Sequence, residues 1–163
     1  MRLLIIDDSE FIVHRLMMAL GRVKGIEIVG QAGTVQKATA AIRRLAPDVV
    51  ILDIALPGGS GLDVLESMRK EGSKSLVIVL TNHPYAAYRR RCARLGCDFF
   101  FDKSKEFERV GEVLEGLLQA ASPEGVESPQ EMDFAGACGR GKRLIEYTPP
   151  ANSSSPWAEL LKA

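Results

Sequence analysis

Five polar residues stand where short apolar runs end: Asp7 and Asp8 after Leu3–Ile6, Asp53 after Val49–Leu52, Thr81 after Leu76–Leu80, and Lys103 just behind Phe99–Phe101. Separately, each has an ordinary reading. An acidic doublet at a strand end is usually a solvated turn, a threonine there caps the next helix, and a lysine is a solvated charge. Gathered on one rim, the five would answer a specific chemical need. Three carboxylates held close together repel one another unless a hard cation sits among them, and magnesium takes such oxygen ligands while keeping waters and substrate oxygens. A phosphoryl group carried on one carboxylate spreads its charge over three oxygens, and its transfer is catalysed mainly by positioning and electrostatic stabilisation. Magnesium, the Lys103 ammonium and the Thr81 hydroxyl would each take a share of that charge.

For these residues to meet, the runs that precede them must be neighbouring parallel strands. The pattern up to residue 121 predicts this, because Leu3–Ile6, Ile26–Val29, Val49–Leu52, Leu76–Leu80 and Phe99–Phe101 alternate with segments of helical period. The helical faces are Ile12, Leu16, Ala19 and Val23; Val35, Ala38, Ile42 and Leu45; Leu62, Leu65 and Met68; Tyr88, Cys92 and Leu95; and Val110, Leu114, Leu117 and Ala121. Ser104 is the expected N-cap of the fifth helix. Strands one, three and four are continuously aliphatic, as central parallel strands buried on both faces are, whereas strand two carries Glu27 and belongs at an edge. The expected fold is therefore α/β, a doubly wound parallel (βα)5 sheet of the flavodoxin-like order 2-1-3-4-5, with its chemistry beyond the carboxyl ends of the strands.

The chain has 163 residues, with Lys+Arg and Asp+Glu at 21 each, so it lacks the global basic field that non-specific nucleic-acid binding requires. The apolar run after Met1 and Arg2 stops at Asp7, too short for a signal peptide or a membrane span, which makes the cytosol the expected compartment. Cys92, Cys97 and Cys138, with His14 and His83, do not make a zinc set, and Cys92 and Cys97 are expected to be reduced core thiols. From Ser122 the composition shifts. Residues 122–163 hold five of the eight prolines and the run Ser153-Ser154-Ser155, and read as a flexible tail in which only Lys142–Tyr147 and Trp157–Leu161 suit local order.

The segments Ile5-Ile6-Asp7-Asp8-Ser9 and Leu52-Asp53-Ile54-Ala55-Leu56-Pro57-Gly58, with Thr81 and Asp102-Lys103, resemble the response-regulator receiver family of two-component signalling, over roughly residues 1–121. The resemblance is to the stand-alone, chemotaxis-regulator-like type. It implies that Asp53 is the phosphoacceptor, that Asp7, Asp8, Asp53 and the backbone carbonyl of Ala55 hold Mg2+, and that Thr81 and Lys103 read the phosphoryl oxygens. It also implies a switch in which Phe100 turns inward when Thr81 moves towards the phosphate, and a mobile loop at Gly58, Gly59 and Gly61. The output surface implied is helix four, strand five and helix five, where Arg89, Arg90, Arg91 and Arg94 would meet an acidic partner. A sensor histidine kinase or phosphotransfer protein is the implied donor, an unidentified output protein the target, and a transient homodimer a further partner state; the short apolar run and the small tail lead to no expected membrane or direct nucleic-acid contact. The sequence departs from the family where a proline often follows the lysine and a small residue the threonine: here these are Ser104 and Asn82.

Two other readings compete. A metal-dependent phosphohydrolase with an aspartyl-phosphate intermediate would resemble D-x-D at the first strand, with a general acid two residues after the nucleophile, but the aspartates here are adjacent and Ala55 holds the second place. A phosphorylation-regulated transcription factor would need a DNA-binding domain or a partner to act through. Residues 122–163 are fewer than a trihelical domain usually needs.

Overall fold

In a computed structural model, residues 1–121 are described. The elements alternate as β1 Arg2–Ile6, α1 Glu10–Leu20, β2 Glu27–Ala32, α2 Val35–Leu45, β3 Val49–Leu52, α3 Gly61–Lys70, β4 Leu76–Thr81, α4 Ala86–Leu95, β5 Phe99–Asp102 and α5 Arg109–Ala121. All five strands are parallel, in the order β2-β1-β3-β4-β5. This is the flavodoxin-like arrangement expected from the runs.

The period of two along each strand divides the aliphatic runs between two cores. Leu4, Ile6, Val50, Leu52, Val77, Val79 and Phe100 pack with α2, α3 and α4, through Ala38, Ile42, Leu62, Leu65, Met68 and Cys92. Leu3, Ile5, Val49, Ile51, Ile78, Leu80, Phe99 and Phe101 face the other way, onto α1 and α5, through Val13, Leu16, Leu20, Val110, Val113 and Leu114. Each fully buried aliphatic side chain stabilises the fold by about 1.5–3 kcal/mol. The two layers together fix the height of the strand ends, which is what the site depends on.

Two local expectations change. Glu27 opens β2 and is exposed, instead of lying inside the strand, and β2 runs on through Gly30 and Gln31 to Ala32. Ser104 does not cap α5, which begins at Arg109. Its backbone N–H and hydroxyl both donate to Asp102 Oδ1, at 2.8 and 2.5 Å, so the serine closes a turn directly after β5. Within the loop after β3, Ala55–Leu56 and Gly59–Ser60 pair as a short antiparallel hairpin. Gly61 serves close packing there, since a Cβ would lie 1.9 Å from the Asp53 carbonyl oxygen. The peptide bonds of the described residues are all trans. The tail expectations, with Cys138, Lys142–Tyr147 and Trp157–Leu161, fall outside the described residues.

Candidate functional site

The sheet ladder continues one residue past the strands and fixes the backbone of the site. Asp7 donates its N–H to the Ala32 carbonyl at 3.0 Å, Asp53 to Ile6 at 2.9 Å and Lys103 to Thr81 at 3.0 Å. Because β1, β3, β4 and β5 are adjacent and in register, the residues that follow them share one rim. Ser9 caps α1, accepting from Ile12 N–H at 3.4 Å, so the chain turns away from the sheet immediately after the aspartate pair.

Asp7, Asp53 and Lys103 are 4, 5 and 6 % exposed, and Thr81 is fully buried. Lys103 Nζ lies 2.5 Å from Asp53 Oδ2 and 2.6 Å from Asp7 Oδ2, and so bridges the two buried carboxylates. Their remaining oxygens are held by the backbone: Asp7 Oδ1 accepts from Ser9 N–H at 3.0 Å, and Asp53 Oδ1 from Ala55 N–H at 3.3 Å. Asp8 is exposed, and carboxylate oxygens of Asp7, Asp8 and Asp53 lie within 4.8 Å of one another. Burial raises the pKa of Asp7 above the usual carboxylate value, against the opposing pull of Lys103 and the Ser9 N–H, and the Asp53 charge adds to the rise.

Three carboxylates face one ammonium in this cluster. Its surplus of negative charge, its all-oxygen donors and its one solvent-facing carboxylate suit a divalent hard cation that retains water ligands. Ala55, whose carbonyl the resemblance adds to the ligand set, is exposed on the same rim. Thr81 Oγ1 accepts from His83 N–H at 3.2 Å, which leaves its own proton to donate. Neither the His83 N–H at Thr81 nor the Ser9 cap is among the roles expected from the sequence. Ser9 had a signal, a hydroxyl residue directly ahead of a helical face.

The four arginines of α4 do not form one patch. Arg89 turns onto β5, with its guanidinium over the Phe100 ring. Arg91 reaches across to α3, with Nη2 at 3.5 Å from Asp63 and 3.8 Å from Glu66. Arg90 and Arg94, one helical turn apart, are exposed and make no ion pair among the described residues. Phe100 is buried in the layer beneath α4. Cys92 and Cys97 are buried free thiols, as their apolar setting suggested.

Comparison with known proteins identifies the family. The family model "Response regulator receiver domain" matches residues 3–115. The chain is 33 % identical over 113 residues to the uncharacterized transcriptional regulatory protein YvfU of Bacillus subtilis, covering 69 % of this chain and 56 % of the relative. It is 36 % identical over 129 residues to the probable transcriptional regulatory protein TcrX of Mycobacterium tuberculosis, covering 79 % of this chain and 54 % of that protein. The chain thus spans about half the length of these curated relatives. Among solved structures, the response regulator domain of Thermotoga maritima CheB superposes with a TM-score of 0.65 at 28 % identity, covering 74 % of this chain and 95 % of that one. A chain of the CheX–CheY–BeF3–Mg2+ complex of Borrelia burgdorferi gives 0.61 at 25 % identity, with 69 and 88 % covered. Among the described residues no helix is long and apolar enough to cross a membrane.

Proposed function

The chain belongs to the response regulator receiver family, and from that premise we propose that Asp53 accepts a phosphoryl group from a phosphohistidine of a sensor kinase or phosphotransfer protein. The observation that carries this is the Lys103 ammonium lying between the buried Asp7 and Asp53 carboxylates, with Thr81 on the same rim. A carboxylate oxygen of Asp53 attacks phosphorus, the bond from phosphorus to the imidazole nitrogen breaks, and the nitrogen leaves with the electron pair. Attack by water later breaks the acyl phosphate and restores the carboxylate. Lys103 stays beside the reacting carboxylate and neutralises charge, and the Thr81 hydroxyl donates a hydrogen bond to a phosphoryl oxygen. Asp7, Asp8, Asp53 and the Ala55 carbonyl would hold magnesium, which would supply positive charge to the phosphoryl oxygens. The direct test is formation of a magnesium-dependent acyl phosphate at Asp53.

Asp8→Asn removes an exposed carboxylate, so the fold should be unaffected while magnesium binds about tenfold or more weakly, by analogy with the loss typical of altered metal sites. Titration calorimetry checks this, and unchanged affinity would remove Asp8 from the ligand set. A chain ending at Ala121 should unfold cooperatively at nearly the full-length temperature and still accept phosphate, because both core layers and the rim lie within it. A large drop in melting temperature would show that residues 122–163 pack on the domain. Thr81→Ala should leave Asp53 phosphorylatable and uncouple it from output at α4, β5 and α5, where the exposed Arg90 and Arg94, without an ion pair among the described residues, suit an acidic partner. Phosphate-dependent partner affinity reads this, and an undiminished gain in Thr81→Ala would exclude Thr81 as the switch.

A further inference from the structure

Arg89, in the first turn of α4, folds back onto β5. Its guanidinium carbon stands 4.5 Å from the Phe100 ring centroid, and its Nη1 donates to the Phe100 carbonyl at 3.4 Å. The ring beneath is only 3 % exposed and belongs to the core layer of Leu52, Val79 and Cys92. Phe100 pairs with Val79, two residues before Thr81, so the ring is linked through β4 to the phosphoryl-reading hydroxyl. The inward position expected only after phosphorylation is therefore already filled, and a cation closes it from the α4 side. A phenylalanine has no hydroxyl with which to mark one of two positions, but its negative ring face attracts a guanidinium.

We propose that Arg89 is a positioning residue that latches Phe100 in its buried position, joining α4 to β5 and presetting the aromatic half of the switch before any phosphoryl group arrives. The functional consequence rests on Asp53 being the phosphoacceptor; the latch itself does not. If a phosphoryl group is bound best when the ring is buried, releasing the ring lowers apparent affinity in proportion to the buried fraction that remains.

The test uses the full chain with 4-fluorophenylalanine at position 100, read by 19F NMR for solvent exposure and titrated with beryllofluoride and magnesium as the phosphoryl mimic. The parent chain should give one solvent-protected resonance with and without the mimic. Arg89→Ala should give an exposed or exchange-broadened resonance that the mimic returns towards the protected position, with mimic affinity reduced roughly 2- to 10-fold. Arg89→Lys, which keeps the charge, should restore part of the protection. Should Arg89→Ala not fold, 3,4,5-trifluorophenylalanine at position 100 beside native Arg89 weakens the ring quadrupole at nearly constant shape, and should expose the ring in the same direction. A resonance as protected in Arg89→Ala, or in the trifluoro chain, as in the parent would overturn the latch. A freed ring with unchanged mimic affinity would overturn its coupling to the phosphoryl site. If the mimic binds no variant while the ring still responds to Arg89→Ala, the phosphoacceptor reading fails and the latch stands.

Discussion

Replacing Lys103 with methionine is expected to destabilise the domain by about 3–5 kcal/mol, the usual cost of breaking a buried ion pair by removing one partner. The ammonium serves two carboxylates at once, at 2.5 and 2.6 Å, and all three groups are almost entirely shielded from water. Against a typical total stability of about 5–15 kcal/mol, that loss is large. Magnesium distinguishes this account from simple loss of packing, because a divalent ion among the same carboxylates would replace the missing charge. The methionine variant should therefore gain much more stability from magnesium than the parent does. The pH dependence follows from Asp7, whose pKa burial already raises and which Lys103 holds down. Without Lys103 it rises further, so the variant's deficit should be small in acid, where Asp7 is protonated, and grow as pH rises through the folded-state pKa. Denaturant unfolding with and without magnesium across pH reads all three effects. A variant as stable as the parent, and no more responsive to magnesium, would mean that Lys103 does not balance these carboxylates.

Asp53→Asn should abolish phosphorylation by small phosphodonors while leaving the fold within about 1 kcal/mol of the parent, the scale of one altered hydrogen bond. The amide fits the space, and its oxygen can still accept from Ala55 N–H or Lys103, while Lys103 keeps its ion pair with Asp7. What it loses is the negative charge that attacks phosphorus and binds metal. Circular dichroism and phosphoryl incorporation, measured together, separate the two roles. Undiminished incorporation in the asparagine variant would place the phosphoacceptor elsewhere.

The parts of this protein that the sequence makes legible are those where one residue type has one physical reason to be where it is. Val49–Leu52 is aliphatic throughout because both faces of β3 are covered, and Asp53 is conspicuous because the run breaks there. Which of Leu3 and Leu4 faces α1 and α5, and which faces α2 and α3, cannot be read from a run that is apolar at every position. The end of β2 was missed because Gly30 and Gln31 interrupt the apolar pattern, which an edge strand paired on one side tolerates. Ser104 looks like a cap by type, but Asp102, two residues earlier, takes both of its donors. Gly61 and Arg89 needed tertiary contacts to be understood. Nothing local to Gly61 announces the Asp53 carbonyl beside it, and the helical phase of α4 against β5 decides that Arg89, and not Arg90, reaches Phe100.

Whether Asp53 becomes an acyl phosphate is read most directly from the mass of the full chain after incubation with a small phosphoramidate or acyl phosphate. The expected result is a gain of one phosphoryl group that requires magnesium, is removed by hydroxylamine, and maps to the peptide containing Asp53. No incorporation, or a phosphoryl group that survives hydroxylamine or maps to another residue, would contradict it.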